Sequence, residues 1–297
     1  MANRSCLLYA FLLLVALQSS MIMANTVIHT PQCRPVAASS KDKILFSMNL
    51  LIYKAEFFLR ASVGVGINGI SPGLVQGPVP IGATLANITN SARRVIEELG
   101  LATVGHLRAI VNVTLLRAPL PRPQLNFTAG VFANILNLSA LTPPFNVYGG
   151  QTQFFLVAEP LTSLIQYYLA QVIPSIAGIP QQQLVTGIGL NAAAQHGYFR
   201  TRLNAIVNIT VPPYTITVAS FTNTTATAVN LLDCAPRTEL PPTSYRVMSI
   251  PYHPDRTERE TLRILHGTGN ATRPGGIFPS GPNGTLYRLV IVPLRLS

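Results

Sequence analysis

Leu101-Ala102-Thr103-Val104-Gly105-His106-Leu107-Arg108-Ala109-Ile110 is the middle of a long apolar-periodic run extending from about Asn90 to Leu116. Apolar residues recur at helical spacing along it, and His106 falls toward the apolar side. Residues three apart on a helix share a face, so a Glu-x-x-His sequence can aim two ligands at one metal. Here the residue three before His106 is Thr103, which cannot supply a carboxylate. The stretch therefore predicts a bundle helix whose histidine is either half of a metal motif or a core histidine bonded to a neighbour.

The flanking segments repeat the helical period. Ser40-Lys41-Asp42 opens a helix running to about Val65, with Ile44, Leu45, Met48, Leu51, Ile52, Ala55, Phe58 and Leu59 on its apolar side and Glu56 within it. Burying that glutamate without a partner would be costly. Gly64, Gly66 and Gly69 end the helix. Pro119 to Pro123 forms a proline-rich break after the second helix. A shorter helix is predicted from Thr128 to Leu138, and Pro143-Pro144 closes that region. Gln151 to Val172 forms a third long helix, carrying Glu159 and a Pro160 expected to kink it. Pro180 opens a fourth, through His196 to about Val207. Thr215 to Leu232 is divided between strand and helix propensity, and a proline-bearing linker leads to a short helix from Arg256 to His266. The expectation is an all-α fold: a four-helix bundle with a short extra helix and a largely irregular C-terminal extension.

Two motifs are discounted. Gly69-Ile70-Ser71-Pro72-Gly73 matches the Gly-x-Ser-x-Gly nucleophile elbow, but it follows a helix rather than a strand. Pro72 also lacks the N–H that the residue after the nucleophile donates to the oxyanion hole. The glycines around Gly267-Thr268-Gly269 and Gly275-Gly276 have neither the strand nor the lysine of a phosphate loop, so ordinary turns are expected.

Arg4 followed by the apolar run from Cys6 to Leu17 reads as a secretory signal peptide spanning residues 1–24. No later segment reaches ~18 uninterrupted apolar residues, so a soluble mature chain is expected. Eight acceptor patterns agree with that route, at Asn87, Asn112, Asn126, Asn137, Asn208, Asn223, Asn270 and Asn283. Without Cys6 the chain keeps Cys33 and Cys234, which are expected to pair in an oxidising compartment. Such a bond would contribute ~4–5 kcal/mol on the chain-entropy model, and the alternative is two free buried thiols. Lys and Arg outnumber Asp and Glu by 21 to 10, a formal charge of +11. That excess favours an anionic cell-wall polysaccharide or a membrane surface. The basic residues are scattered, which argues against nucleic acid.

Several blocks carry a family resemblance. Lys54-Ala-Glu-Phe-Phe-Leu59, Gly77-Pro-Val-Pro-Ile-Gly-Ala83, Val104-Gly-His-Leu-Arg-Ala-Ile110 and Pro143-Pro-Phe145 stand in the order seen in plant desiccation-related proteins with a ferritin-like domain. Ile264-Leu-His-Gly-Thr-Gly-Asn270 and Pro274-Gly-Gly276 continue the match, which spans about Lys41 to Gly284. The resemblance implies a ferritin-like helical domain over residues 41–232, an extension over residues 233–297, secretion to the cell exterior or wall (or the vacuole), and a link to water-deficit stress. It also implies metal-ligand positions that this chain has altered. Thr103 and Ala192 stand where relatives have glutamate, His196 where they commonly have aspartate, and Leu51 and Lys54 lie beside the retained Glu56.

Two functional classes follow. One is a non-catalytic glycosylated protectant or interaction scaffold, holding no cofactor in a degenerate pocket. The other is a metal site of altered composition, in which some of Glu56, His106, Glu159 and His196 hold iron, zinc or copper and perform oxidase-type chemistry. The first is favoured, because losing two carboxylates removes both charge compensation and bridging ligands.

Overall fold

In the computed structural model, residues 33–234 and 255–292 are described. The expected signal peptide over residues 1–24 and the expected linker after Cys234 lie outside them. Four long helices carry the architecture: α1 (Ser40–Val63), α3 (Asn90–Thr114), α5 (Gln151–Val172) and α6 (Ile179–Asn204). Short helices α2 (Ile67–Ile70) and α4 (Ala129–Ile135) lie in the connections. Helices α7 (Val218–Leu232), α8 (Glu258–Leu265) and α9 (Thr285–Ile291) follow the bundle. No helix among the described residues is long and apolar enough to cross a membrane.

The helix ends follow from local chemistry. Ser39 Oγ accepts from Asp42 N at the start of α1, and Thr89 caps α3 through Ala92 N. Gly64 closes α1 in the left-handed region at φ 79°, where a Cβ would be strained. The ambiguous Thr-rich segment becomes helix α7 because Thr217 supplies a side-chain cap and Val218, Phe221 and Val229 bury one face. Helix α8 starts with a capping box between Thr257 and Glu260. Pro160 lies inside α5, where Ser163 Oγ donates to its carbonyl.

Helix α1 packs along α3, and α5 packs along α6. Helices α1 and α3 are antiparallel, since Arg93 near the start of α3 donates to Ser62 O near the end of α1. They approach closely at Gly100, where an added Cβ would lie 2.8 Å from Leu59 side-chain atoms. The α3–α5 connection returns the chain to the end where α3 began. Asn87 N donates to Tyr148 O, and Thr89 Oγ1 donates to Gln151 Oε1 at 2.7 Å. One long crossover between two antiparallel pairs is the ferritin-like arrangement.

The core is aromatic at one level: Phe57 stacks on Phe154 at 4.9 Å and packs against Phe127 and Phe132, while Phe58 meets Phe199. The proline-rich crossover contains more order than its composition suggested. Strand β1 (Val75–Gln76) runs parallel to β2 (Leu120–Pro121), and Ile81 bridges Asn126 farther along.

The C-terminal extension is stitched to the bundle by two short helices and several isolated bonds. Cys33 and Cys234 form a disulfide, with Cα atoms 5.9 Å apart. Beside it Thr257 Oγ1 donates to Cys33 O, and the buried Arg256 pairs with Asp233 at 2.8 Å while lying over the Tyr167 ring. Asn283 N donates to Asn49 Oδ1, tying the approach to α9 onto α1.

Glu56, fully buried on α1, receives Arg60 Nε at 2.8 Å and Arg122 Nη1 from the crossover. Replacing Arg122 by alanine should cost about 3–5 kcal/mol, as expected when one partner of a buried ion pair is removed. Urea denaturation would check this; a loss below about 1 kcal/mol, the upper range for an exposed pair, would show that the clasp is dispensable.

Candidate functional site

In a ferritin-like bundle the functional site lies where side chains of all four long helices converge. Lys54 occupies that interior here. Its side chain is buried on α1 and reaches across the bundle, where Nζ donates to Gln195 Oε1 on α6 at 2.9 Å. Gln195 Nε2 in turn donates to Asn191 Oδ1 at 2.7 Å. Thr103 on α3 is buried and turns its hydroxyl back to Leu99 O, and the buried Ala192 contributes no polar atom.

His106 sits one turn beyond Thr103, half-buried, with Nδ1 lacking a hydrogen-bond partner. Burial, reinforced by the Lys54 charge, lowers its pKa from 6.5 to about 4. Burial alone lowers Lys54 from 10.5 to about 7. Both shifts express the same physics: a dry bundle interior penalises positive charge, and the negative charge within it is used elsewhere.

The four candidate ligands go to three places. Glu56 is held by Arg60 and Arg122, and Gly66 packs so tightly against it that a Cβ there would overlap the carboxylate. His106 lies with Lys54. Glu159 and His196 do meet: Nε2 of the histidine stands 2.9 Å from Glu159 Oε1, and Nδ1 stands 3.0 Å from Gln166 Oε1. Arg200 Nη1 approaches the same Glu159 oxygen at 3.7 Å. Each ring nitrogen of His196 thus already faces an oxygen. Among the described residues no three His, Cys, Asp or Glu side chains are grouped so as to hold one metal ion.

These residues do not fit the carboxylate-bridged metal centre associated with the fold. A lysine projects into the interior, Thr103 and Ala192 offer no bridging oxygen anion, and the remaining carboxylates are committed to cations or imidazole. Sequence reading missed Arg122, which it treated as part of a proline break. The available signal was its position as the lone cation inside Pro119–Pro123, opposite a buried glutamate in need of a partner. Ser71 of the discounted elbow motif closes the short helix α2 and accepts from Arg108 Nε at 3.3 Å.

With this architecture in view, the comparisons place the chain among the ferritin-like, desiccation-related proteins of plants, and it belongs to that family. It is 32% identical over 315 residues to the ferritin-like catalase Nec2 of Nesocodon mauritianus, covering 95% of this chain and 100% of that protein. It is also 33% identical over 194 residues to desiccation-related protein PCC13-62 of Craterostigma plantagineum, covering 63% of this chain and 60% of that protein. No family model matches the chain. No solved structure matches it either.

The depressed pKa values set a pH dependence. Between pH 10.5 and about 7 the unfolded chain protonates Lys54 while the folded chain does not, so stability should rise with pH across that window. On the acid side His106 behaves likewise between 6.5 and about 4, and so does the buried His266 of the extension. Stability should therefore fall as pH drops through that range. Thermal unfolding of Lys54→Met should flatten the alkaline slope and, because the Lys54 charge also depresses His106, reduce part of the acid slope. His106→Leu should remove part of the acid slope and leave the share of His266; unchanged slopes in both variants would refute the assignment.

Proposed function

We propose that this protein is a secreted, glycosylated, stress-associated member of its family that acts as a non-catalytic protectant or interaction scaffold. The observation that carries the reading is the buried Lys54, whose side chain occupies the bundle interior and hydrogen-bonds Gln195. A cationic or amine side chain there opposes a divalent cation by charge and by space. Carboxylate-bridged metal proteins of this fold class draw glutamates from all four helices, and here Thr103 and Ala192 supply none.

Secretion is supported by the N-terminal apolar run and by the acceptor asparagines. Asn112, Asn137, Asn208, Asn223 and Asn270 are exposed, Asn112 and Asn223 on the outer faces of α3 and α7. Asn87 is also exposed, with Nδ2 near Gly149 O. Asn126 and Asn283 are half-buried, and Asn283 Nδ2 donates to Pro121 O. Under this reading the +11 formal charge draws the glycoprotein to anionic wall polysaccharide or a membrane surface outside the cell or in the vacuole.

The deciding experiment is metal analysis of the secreted protein, purified without chelator, alongside hydrogen peroxide disproportionation with added iron, manganese, zinc and copper. Peroxide is the relevant probe because one relative is named a catalase. The expected result is well under one metal per chain and no turnover. Near-stoichiometric metal abolished by His106→Ala would replace the scaffold reading with a metal-dependent one.

Glycopeptide mapping of the same preparation should find sugar at Asn112, Asn208, Asn223 and Asn270 and none at Asn283. Full occupancy at Asn283 would mean that the α9 approach docks after glycosylation, contrary to the bonds that hold it.

A further inference from the structure

Leu115 and Ile179 are large apolar side chains left in solvent at one end of the bundle. Leu115, at 88% exposure, is the most exposed large apolar residue among the described residues, and Ile179 is 71% exposed. Single exposed apolar residues are ordinary on protein surfaces, so exposure alone says little. Leu115 carries a second anomaly. It closes α3 in the left-handed region at φ 52°, a conformation that helix ends usually give to glycine or asparagine and that strains a residue with a Cβ. The leucine there neither packs nor suits its backbone, and residues held in such conformations cluster at functional sites.

The topology brings the two residues to the same end. Helices α1 and α3 are antiparallel, and counting along both from the Gly100–Leu59 approach brings Leu115 level with Ile44, in the first turns of α1. That end of α1 is tied to the connection between α5 and α6: Ala177 N donates to Ser40 Oγ and Lys43 Nζ donates to Ser175 Oγ, each at 2.8 Å. Helix α6 starts just beyond, at Ile179. Pro174, Ala177, Gly178 and Pro180 are exposed around it, and the connection carries no charged residue. Cations flank this apolar tip, with Lys41 and Arg117 exposed and Lys43 half-buried. Along the segments 39–45, 112–119 and 172–182, Asp42 is the sole carboxylate, and it accepts from Ser39 Oγ at 2.6 Å. Glu258 lies close enough to Lys43 to feel its charge, but it is buried and adds nothing to the surface.

We infer that this end of the bundle docks on an anionic phospholipid bilayer, with Leu115 and Ile179 entering the headgroup boundary and Lys41, Lys43 and Arg117 facing the lipid phosphates. An apolar tip with cations beside it matches the two parts of a bilayer interface, which offers hydrocarbon beneath a layer of negative charge. Hydrated wall polysaccharide would answer the cations but leave the apolar side chains without a partner. The opposite end is a poorer match, because Glu97 and Glu98 stand beside Arg93 and Arg94 there and the acceptor Asn208 follows α6. Asn112, one turn before Leu115, is the acceptor at the edge of the docking end, where a sugar would hold the tip back from the lipid.

The inference deepens the scaffold reading and rests on it for an anionic partner. Vesicle binding is read without metal or peroxide, so either idea can fail while the other stands. The experiment is flotation of the secreted protein, and of its Asn112→Gln form, with vesicles of phosphatidylcholine alone or mixed in equal parts with phosphatidylglycerol. Soluble polygalacturonate serves as the polysaccharide probe. The expected result is flotation with the anionic vesicles, stronger without the Asn112 sugar and weak with phosphatidylcholine alone. Leu115→Gly and Ile179→Asp should each lower affinity for the anionic vesicles about tenfold, the effect of withdrawing one buried aliphatic side chain. Both variants should stay folded with thermal midpoints held or raised, because glycine suits φ 52° and an acidic residue suits the first turn of α6.

Failure of both the wild-type and Asn112→Gln proteins to float with anionic vesicles would overturn the inference, as would undiminished flotation when Leu115→Gly and Ile179→Asp are combined. Binding to polygalacturonate with none to vesicles would also overturn it, while leaving the scaffold reading in place.

Discussion

The ion pair between Glu56 and Arg122 is the constraint on which the arrangement of the other elements turns. A carboxylate with no solvent exposure is tolerable only when matched by charge and hydrogen bonds. Arg60, one helical turn away on α1, supplies one partner. The other must come from outside the helix, and it comes from the crossover. Arg122 then uses its remaining donors on Pro78 O and Gly77 O, at 2.8 Å each. Proline-rich segments cannot build a full ladder because each proline lacks an N–H, so their carbonyls need donors from elsewhere. A guanidinium with five N–H groups is suited to that task. One side chain therefore neutralises the core carboxylate, satisfies the Gly77–Pro78 loop and places the crossover against α1. The parallel pairing of β1 with β2 starts beside it.

Much of the fold was legible because it rests on periodicity. Each long helix falls on a stretch whose residues recur at helical spacing, and two of the four, α1 and α3, begin at the serine or threonine N-caps Ser39 and Thr89. Helix α7 was undecided for a physical reason: Thr, Val and Ala have no strong preference, and the burial of Phe221 and Val229 against the rest of the chain settles the matter. The Cys33–Cys234 bond was predictable by counting. The crossover was not legible, since the β1–β2 pairing involves only two residues on each side and no local pattern announces it.

At the site the sequence showed which residue types were present and not what fills the interior. The family resemblance marked Thr103 and Ala192 as positions where a carboxylate was expected, and neither supplies one. What fills the space depends on reach and direction, which sequence spacing does not convey. Glu56 and His106 were grouped as ligands because they occupy homologous-looking stretches, yet Glu56 turns to Arg122 while His106 lies by Lys54. Glu159 and His196 were both on the candidate roster, and they do meet, but as a hydrogen-bonded pair flanked by Gln166 and Arg200.

Thr103, Ala192 and Lys54 form one compensated set. A metal centre built from carboxylates balances several negative charges with cations; deleting the carboxylates while retaining space would leave a wet or collapsed cavity. Here Thr103 satisfies itself on its own helix, Ala192 removes volume, and the long Lys54 side chain fills the interior and finds an amide instead of a carboxylate. An amide partner is weaker than a carboxylate, so the lysine charge is poorly paid in this setting, which is why burial pulls it toward the neutral amine. A neutral Lys54 needs no counter-ion, and His106 is pushed the same way. Above about pH 7 the interior consequently holds polar atoms but little net charge, so the four-helix packing needs no carboxylate there.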